Sequence, residues 1–287
     1  MTACPVCDGT ILTAVSVPRE PGLVRCIGCR LVFRPGTDTD PVRVVLSEDE
    51  RRLEERVAER RTKHFEALLF EAGPPGRLLD VGTGVGMLLR LAGARGWRAV
   101  GVDVEPAVVA YARSRGLDVR LGDLGKLDLP AESFDLVTLW NVIDFVTDPV
   151  AMLDECHRVL VPGGRIFVRT PNVPWQLGGA RLTRLLGAVG LTRLIDGRAR
   201  WLAIFHRSNF APATLRFALE RAGFGSIALA NSAPITGDPY LGLGTTGEAA
   251  VRLAKRVVFA AVETAARVSS GRWLLGPSIE AWARKPA

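Results

Sequence analysis

The chain has 287 residues, of which 48% are hydrophobic and 23% charged, and carries a net charge of +7. That composition is ordinary for a globular protein with room for one full α/β domain and a smaller unit. No apolar run approaches the ~20 residues of a membrane span, and Met1–Cys7 lack the basic-then-apolar start of a secretory leader, so the expected address is the cytoplasm.

Charge and cysteine are unevenly placed. The segment Arg181–Ala287 holds 15 basic and 6 acidic residues, against 22 and 24 before it, so the whole positive excess lies in the last third. Such a balance suits an anionic partner, namely phosphate, nucleic acid or a membrane surface. Arginine makes up 33 of the 37 basic residues, which also fits a GC-rich genome with no such partner. Four of the five cysteines form two Cys-x-x-Cys pairs, Cys4/Cys7 and Cys26/Cys29. Cys156 stands alone in a helical pattern and reads as a buried thiol.

In chain order, residues 1–40 form a cysteine-bearing module with short β-like runs at Ile11–Val17 and Leu31–Phe33, closed by the turn Pro35–Asp38. Ser47 and Glu50 make a capping box that opens a charged helix running to about Phe70, so 41–76 reads as a linker helix ended by Gly73-Pro74-Pro75-Gly76. From residue 77 to 287 the pattern is that of a single α/β domain. Strands are expected at Arg77–Val81, Arg98–Val102, Asp118–Leu121, Phe134–Trp140 and Arg165–Thr170. Helices between them are expected at Met87–Arg95, Pro106–Arg115 and Pro149–Leu160. Continuous apolar strands alternating with helices imply a parallel sheet covered on both faces. Residues 171–210, rich in Gly, Pro and Trp, break the alternation. A helix at Pro212–Ala222, a strand at Ser226–Ala230, a long helix within 245–270 and a last strand at Ser278–Arg284 complete the chain.

The most informative stretch is Asp80-Val81-Gly82-Thr83-Gly84-Val85-Gly86, a strand running into a glycine loop and a helix start. Glycines allow the tight turn and the close approach of a ligand to the backbone, with the helix N-terminus behind it. The dinucleotide fingerprint Gly-x-Gly-x-x-Gly would need its third glycine at position 87, which is Met87, so a nicotinamide dinucleotide fits poorly. Asp103 ends the second strand, where an acid reaches the hydroxyls of a ligand ribose. Asp123 follows the third strand, and Asn141 the fourth, at the edge where open α/β sheets bind ligands.

Together these residues resemble the motif series of the class I S-adenosylmethionine-dependent methyltransferases. Val159-Leu160-Val161-Pro162-Gly163-Gly164 is similar to that family's turn before the fifth strand, and Ala211–Phe224 to its following helix. The resemblance implies a Rossmann-like seven-stranded α/β sheet with its last strand antiparallel, and S-adenosylmethionine as cofactor. It implies that Gly82, Thr83, Gly84 and Gly86 pass under the methionine part and that Asp80 orders the loop and the cofactor amine. Asp103 would hold the ribose, Val104 pack on the adenine, and Asp123 with Leu124 read its edge, beside Asn141. Residues 171–210 would form an acceptor-side lid, and 245–270 an inserted helix.

Cys4, Cys7, Cys26 and Cys29 give four soft ligands on two knuckles, which suits a structural tetrahedral zinc in a small zinc-ribbon-like module. A zinc-binding module ahead of such a core resembles methyltransferases that modify sugars and other secondary or cell-envelope metabolites. The expected acceptor is therefore a small or lipid-linked molecule, a glycosyl unit first. Two rivals stand beside this reading: an RNA methyltransferase that grips phosphate, and a non-catalytic relative that binds cofactor or partner only.

For the chemistry, His206 is the candidate for positioning or deprotonating the acceptor, with a helix cap as its plainer role. The family's histidine after the fourth strand is Phe145 here, which leaves Asp144 as a second candidate base. His64 reads as solvated surface on the linker helix, and His157 as helix packing or surface. Trp175, Trp201 and Phe205 read as pocket lining or as lid core. The 245–270 helix, with Arg252, Lys255, Arg256 and Arg267 among apolar residues, is read as packing on the sheet or a second copy, or as a peripheral membrane contact.

Overall fold

The computed structural model describes residues 3–17, 20–36, 59–188, 190, 205–233 and 245–287. The capping box at Ser47 and Glu50, and Trp201, lie outside the described residues. In the cysteine module β1 (Leu12–Ala14), β2 (Val24–Cys26) and β3 (Val32–Phe33) form an antiparallel meander. Helix α1 (Thr62–Ala72) follows. Then come β4 (Arg77–Val81), α2 (Met87–Gly93), β5 (Arg98–Asp103), α3 (Pro106–Ser114), β6 (Val119–Leu121), β7 (Phe134–Trp140), α4 (Pro149–Val159) and β8 (Leu160–Pro171). Helix α5 (Val173–Ala188), β9 (Ser208–Asn209), α6 (Pro212–Arg221), β10 (Gly225–Asn231), α7 (Thr245–Val268) and β11 (Ser278–Arg284) complete the described elements.

Seven strands make one mixed sheet in the order β10-β11-β8-β7-β4-β5-β6. Strands β4 to β8 pair in parallel, and β11 runs antiparallel to both β8 and β10. The expected fold class, with its antiparallel last strand, is present. Side-chain alternation divides each strand between two cores. Leu79 and Val81 of β4 face α4 and α6, meeting Leu153, Cys156, Leu215 and Ala218. Leu78 faces the opposite side, with Phe65 and Leu68 of α1, Leu88 of α2 and Val109 of α3. Helices α3, α4 and α6 each begin with a proline in the first turn, where its missing N–H has no intrahelical partner to lose.

Three features differ from the expectations. The stretch read as a linker is not free-standing where it is described: Phe65, Leu68 and Leu69 of α1 are buried on the sheet, and helical spacing of apolar residues on one face is the reason. His64, expected in solvent, is half-buried; its Nε2 lies 2.9 Å from the Ala233 carbonyl and its ring meets Trp140 edge-on at 5.8 Å. Residues 173–188, read only as a break in the pattern, form helix α5 despite Pro174, which sits in the first turn.

The cysteine module docks against the sheet's α4/α6 face. Cys4, Val6, Cys26, Leu31 and Phe33 join the same core as Leu215 and Phe210, and β3 pairs with β9 in an antiparallel bridge. The C-terminal cations serve this docking. Arg221 donates to the Val6 carbonyl and pairs with Asp8, Arg184 donates to the Ser16 carbonyl, and Arg207 to that of Gly36. Helix α7 packs by its C-terminal part, where Asn231 meets Glu263 and Ala266 is buried, while Leu253 and Val257 are exposed. No helix among the described residues is long and apolar enough to cross a membrane.

Leu139 lies near the carboxyl end of β7 with no exposed surface. Leu139→Ala is expected to cost about 2–5 kcal/mol of stability, the range for a large-to-small change in a packed core. Urea denaturation followed by circular dichroism checks it, and a midpoint unchanged from wild type would contradict the core assignment.

Candidate active site

At the carboxyl edge of the sheet the chain leaves β4 through Gly82, Gly84 and Gly86, all with positive φ (68°, 56° and 76°). The loop is tied back by the Gly82 and Thr83 amides, which donate to the Val102 carbonyl at 2.7 and 3.1 Å. A side chain on Gly82 would collide with Val142, its Cβ standing 2.4 Å from that residue's Cγ2. Gly84 differs, since nothing lies within 4 Å of where its Cβ would be. Its left-handed backbone needs glycine, and the space above it is open. A narrow cleft begins here, lined by Arg61, Phe65, Asp80, Gly82, Thr83, Gly84, Val85 and Trp140 among others. The buried indole N–H of Trp140 has no hydrogen-bond partner among the described residues. A larger hollow, lined by Phe70, Pro75 and Trp97, lies at the opposite edge and has none of the candidate residues.

Acidic residues organise the cleft. Asp80 is buried and accepts a 2.7 Å hydrogen bond from the Thr138 hydroxyl; burial raises its pKa to about 6. Asp103 clasps the loop, with Oδ2 accepting from the Gly84 amide at 2.9 Å and Oδ1 from the Glu105 amide at 3.0 Å. Next to it Val104 is 59% exposed, an apolar side chain standing at the mouth of the site. Asp123 accepts from the Gly125 amide at 3.1 Å and so caps the short 3-10 turn Leu124–Lys126, while the Leu124 side chain is buried in the core. The Leu124 side chain is thus withdrawn from the carboxyl edge.

Asn141 leaves β7 with a φ of 54° and is held on both sides by Arg169. Its amide donates to the Arg169 carbonyl at 2.9 Å, and Arg169 Nη1 donates to its side-chain Oδ1 at 2.6 Å. Arg169 also donates to the Ser232 and Ser278 hydroxyls and lies 4.8 Å from the centre of the Trp140 ring. Burial lowers its pKa to about 10. Sequence reasoning passed over this residue. The available signal was an arginine inside the otherwise apolar strand Ile166–Thr170.

The two candidate bases, read separately from the sequence, come together. His206 Nε2 stands 3.6 Å from Asp144 Oδ2, and the Phe145 ring lies 4.3 Å from the His206 ring. Asp144 is 1% exposed and neither carboxyl oxygen has a hydrogen-bond partner among the described residues. Burial raises its pKa to about 7, and burial with the nearby Arg34 charge lowers that of His206 to about 4. Both directions favour the neutral forms: near neutral pH the imidazole is unprotonated, while Asp144 is divided between its acid and carboxylate forms. Phe205 is buried and packs with Leu23, Val32, Val173 and Ala180. His157 packs edge-on against Phe224 at 5.1 Å.

The four cysteine sulfurs lie within 4.8 Å of one another, with Cys4–Cys29 and Cys7–Cys26 each 3.4 Å apart. The knuckles repeat one geometry: the Asp8 amide donates to the Cys4 carbonyl, the Arg30 amide to that of Cys26, and both donors have positive φ. Tetrahedral Zn–S bonds of about 2.3 Å place sulfurs about 3.8 Å apart, a spacing this cluster brackets. Hydrogen bonding from the Cys29 thiol lowers Cys4 to about 5, whereas burial raises Cys26.

Residues 79–168 match the family described as a methyltransferase domain. A Mycolicibacterium smegmatis protein named "Probable S-adenosylmethionine-dependent methyltransferase" is 35% identical over 149 residues, 51% of each chain. A ubiquinone biosynthesis O-methyltransferase of Xylella fastidiosa is 33% identical over 156 residues, covering 51% of this chain and 60% of its own. The chain thus spans about half to three-fifths of the length of these relatives. Among solved structures, Haemonchus contortus phosphoethanolamine N-methyltransferase 2 with S-adenosyl-L-methionine superposes with a TM-score of 0.58 at 16% identity, over 88% of this chain and 62% of that one. At that identity the likeness speaks for the fold, which is the α/β methyltransferase fold with a seven-stranded mixed sheet.

A buried carboxyl whose pKa is raised on folding binds its proton more tightly in the native state, so its contribution is complete below the unfolded value and falls as pH rises through the folded one. Asp144→Asn is therefore expected to gain stability relative to wild type between about pH 4 and about pH 7, with a constant gap above. Urea denaturation of both proteins over pH 4–8 reads this directly, and parallel curves would contradict it.

Proposed function

We propose that this chain is an S-adenosylmethionine-dependent methyltransferase that methylates a hydroxyl on a small or lipid-linked acceptor, with a glycosyl hydroxyl as the first choice. The observation that carries the reading is the open cradle over Gly84, bordered by the Asp103 carboxylate on one side and by Asp80 below. Its residues fit the cofactor's chemistry. Asp103 suits the two ribose hydroxyls and exposed Val104 an adenine face, with Asp123 and the Leu124 backbone at the adenine edge. Asp80 and the Trp140 N–H lie toward the methionine end, and Arg61 supplies a cation on the same rim. Gly82, Thr83 and Gly86 shape the turn, and Asn141, fixed by Arg169, closes the edge. S-adenosylmethionine, when bound, supplies an electrophilic methyl group on a sulfonium.

The acceptor side is the work of this chain's own residues. A hydroxyl must lose its proton as the methyl is transferred, and an unprotonated imidazole is the suitable base. With the His206 Nε2–H directed at an Asp144 oxygen, the lone pair on Nδ1 is left to take the acceptor proton. The ionised form of Asp144, accessible near pH 7, then faces the imidazolium that forms and lowers its cost. Phe145, the position at which the family resemblance implies a histidine, touches the His206 ring, so His206 occupies the same neighbourhood. Holding the reactants in line supplies about 7–11 kcal/mol of such a barrier without further machinery.

Zinc belongs to the proposal as a structural ion at Cys4, Cys7, Cys26 and Cys29, with no open position for a substrate. A small-molecule acceptor is favoured over RNA because Arg184, Arg207 and Arg221 are engaged by carbonyls and Asp8 of the cysteine module. S-adenosylmethionine with a labelled methyl group, incubated with host extract and fractionated, tests the reading. Label is expected in small-molecule or lipid fractions and to fall about 100-fold or more in His206→Ala, the usual loss with a general base. Label confined to ribonuclease-sensitive material would overturn it.

A further inference from the structure

We infer that the cysteine module is the clamp that presents His206 to the acceptor site, and that Asn209 is the positioning residue through which it acts. The inference rests on the role given to His206 above, and its geometry stands on independent contacts.

The segment Phe205–Asn209 re-enters the described chain at the carboxyl edge with little structure of its own, as a two-residue strand. Its order comes from outside. Phe33 and Val32 of β3 pair with Ser208 and Asn209, and the Arg34 amide donates to the Arg207 carbonyl at 3.0 Å. From below, the Ser208 amide donates to the Asp144 carbonyl at 2.9 Å. The histidine loop is therefore gripped between β3 and the turn that carries its partner carboxyl.

Asn209 lies at the centre of this grip and is 1% exposed. Its Nδ2 donates to the Val32 carbonyl at 3.0 Å and to the His206 carbonyl at 2.9 Å, while its Oδ1 accepts from the His206 amide at 2.8 Å. One side chain thus satisfies both backbone groups of His206 and ties them to β3. A buried amide with three such bonds is hard to replace, since each lost partner leaves a buried polar group unpaired. Upstream, β3 begins three residues after Cys29, so the second knuckle anchors the strand. The expected chain of dependence runs from the sulfur cluster through β3 and Asn209 to His206.

The groups facing His206 are the Asp144 carboxyl, the Phe145 ring and the Arg34 charge, with the Asn209 amide on its backbone. Loosening the clamp exposes the ring to water and removes it from Arg34, and both changes move its titration up toward the ordinary histidine value.

Nitrogen-15 NMR of the three imidazoles in the full chain, purified with its bound metal, tests this, with His206→Gln assigning the signal. In wild type His206 is expected to titrate near 4. In Asn209→Ala it should move toward about 6.5, with S-adenosylhomocysteine affinity kept within about threefold. Wild type stripped of metal with a chelator should shift as Asn209→Ala does, and it decides the matter if that variant does not fold. A His206 titration unchanged by metal removal, or unchanged in a folded Asn209→Ala, overturns the inference. Failure of wild type to bind S-adenosylhomocysteine would instead count against the methyltransferase reading, and the titration would still judge the clamp.

Discussion

A parallel sheet buried on both faces leaves chemistry one place, its carboxyl edge, and the rest of this structure follows from that constraint. Two separate cores occupy the faces of the sheet. What remains accessible is the row of turns after β4, β5, β6 and β7, where Gly84, Asp103, Asp123 and Asn141 stand. The first two are joined directly, because the Gly84 amide donates to the Asp103 carboxylate across neighbouring strands. That bond holds the loop in its left-handed turns, which only glycine adopts at low cost, and leaves the space above Gly84 free.

The Asp144–His206 pair is held differently. Asp144 belongs to the turn after β7, but His206 comes from the segment ahead of α6, which is fixed by a strand from the N-terminal module. The module in turn is too small to hold a core alone and draws on the sheet for it, with Cys4, Val6, Leu31 and Phe33 in the same cluster as Phe210 and Leu215. The glycine loop and the Asp144–His206 pair are thus stabilised by different parts of the chain, and a change in one is expected to leave the other in place.

The sheet and the glycine turn at its carboxyl edge were legible because their signals are local. Continuous apolar runs marked β4, β5 and β7 to within a residue or two, and the glycine spacing fitted a nicotinamide dinucleotide poorly. Asp103 and Asn141 followed from their positions at strand ends. The partners of these residues were not legible. Nothing periodic joins Arg169 to Asn141, Val32 to Asn209, or Asp144 to His206, whose pairings cross 28, 177 and 62 positions. His64 was misread for the same reason, since its partners Trp140 and Ala233 lie far along the chain. Helix α5 was missed because Pro174 and a run of glycines weaken its local signal, and packing of Val173 and Ala180 supplies what propensity lacks.

Asp103 is proposed to organise a cofactor site in the cleft above Gly84, and calorimetric titration of the full chain with S-adenosylmethionine measures this. One site per chain is expected, weakened about 10- to 100-fold or more by Asp103→Ala, as loss of charge-assisted hydrogen bonds implies, and kept by His206→Ala. Absence of binding to wild type, or equal binding by Asp103→Ala, would contradict it.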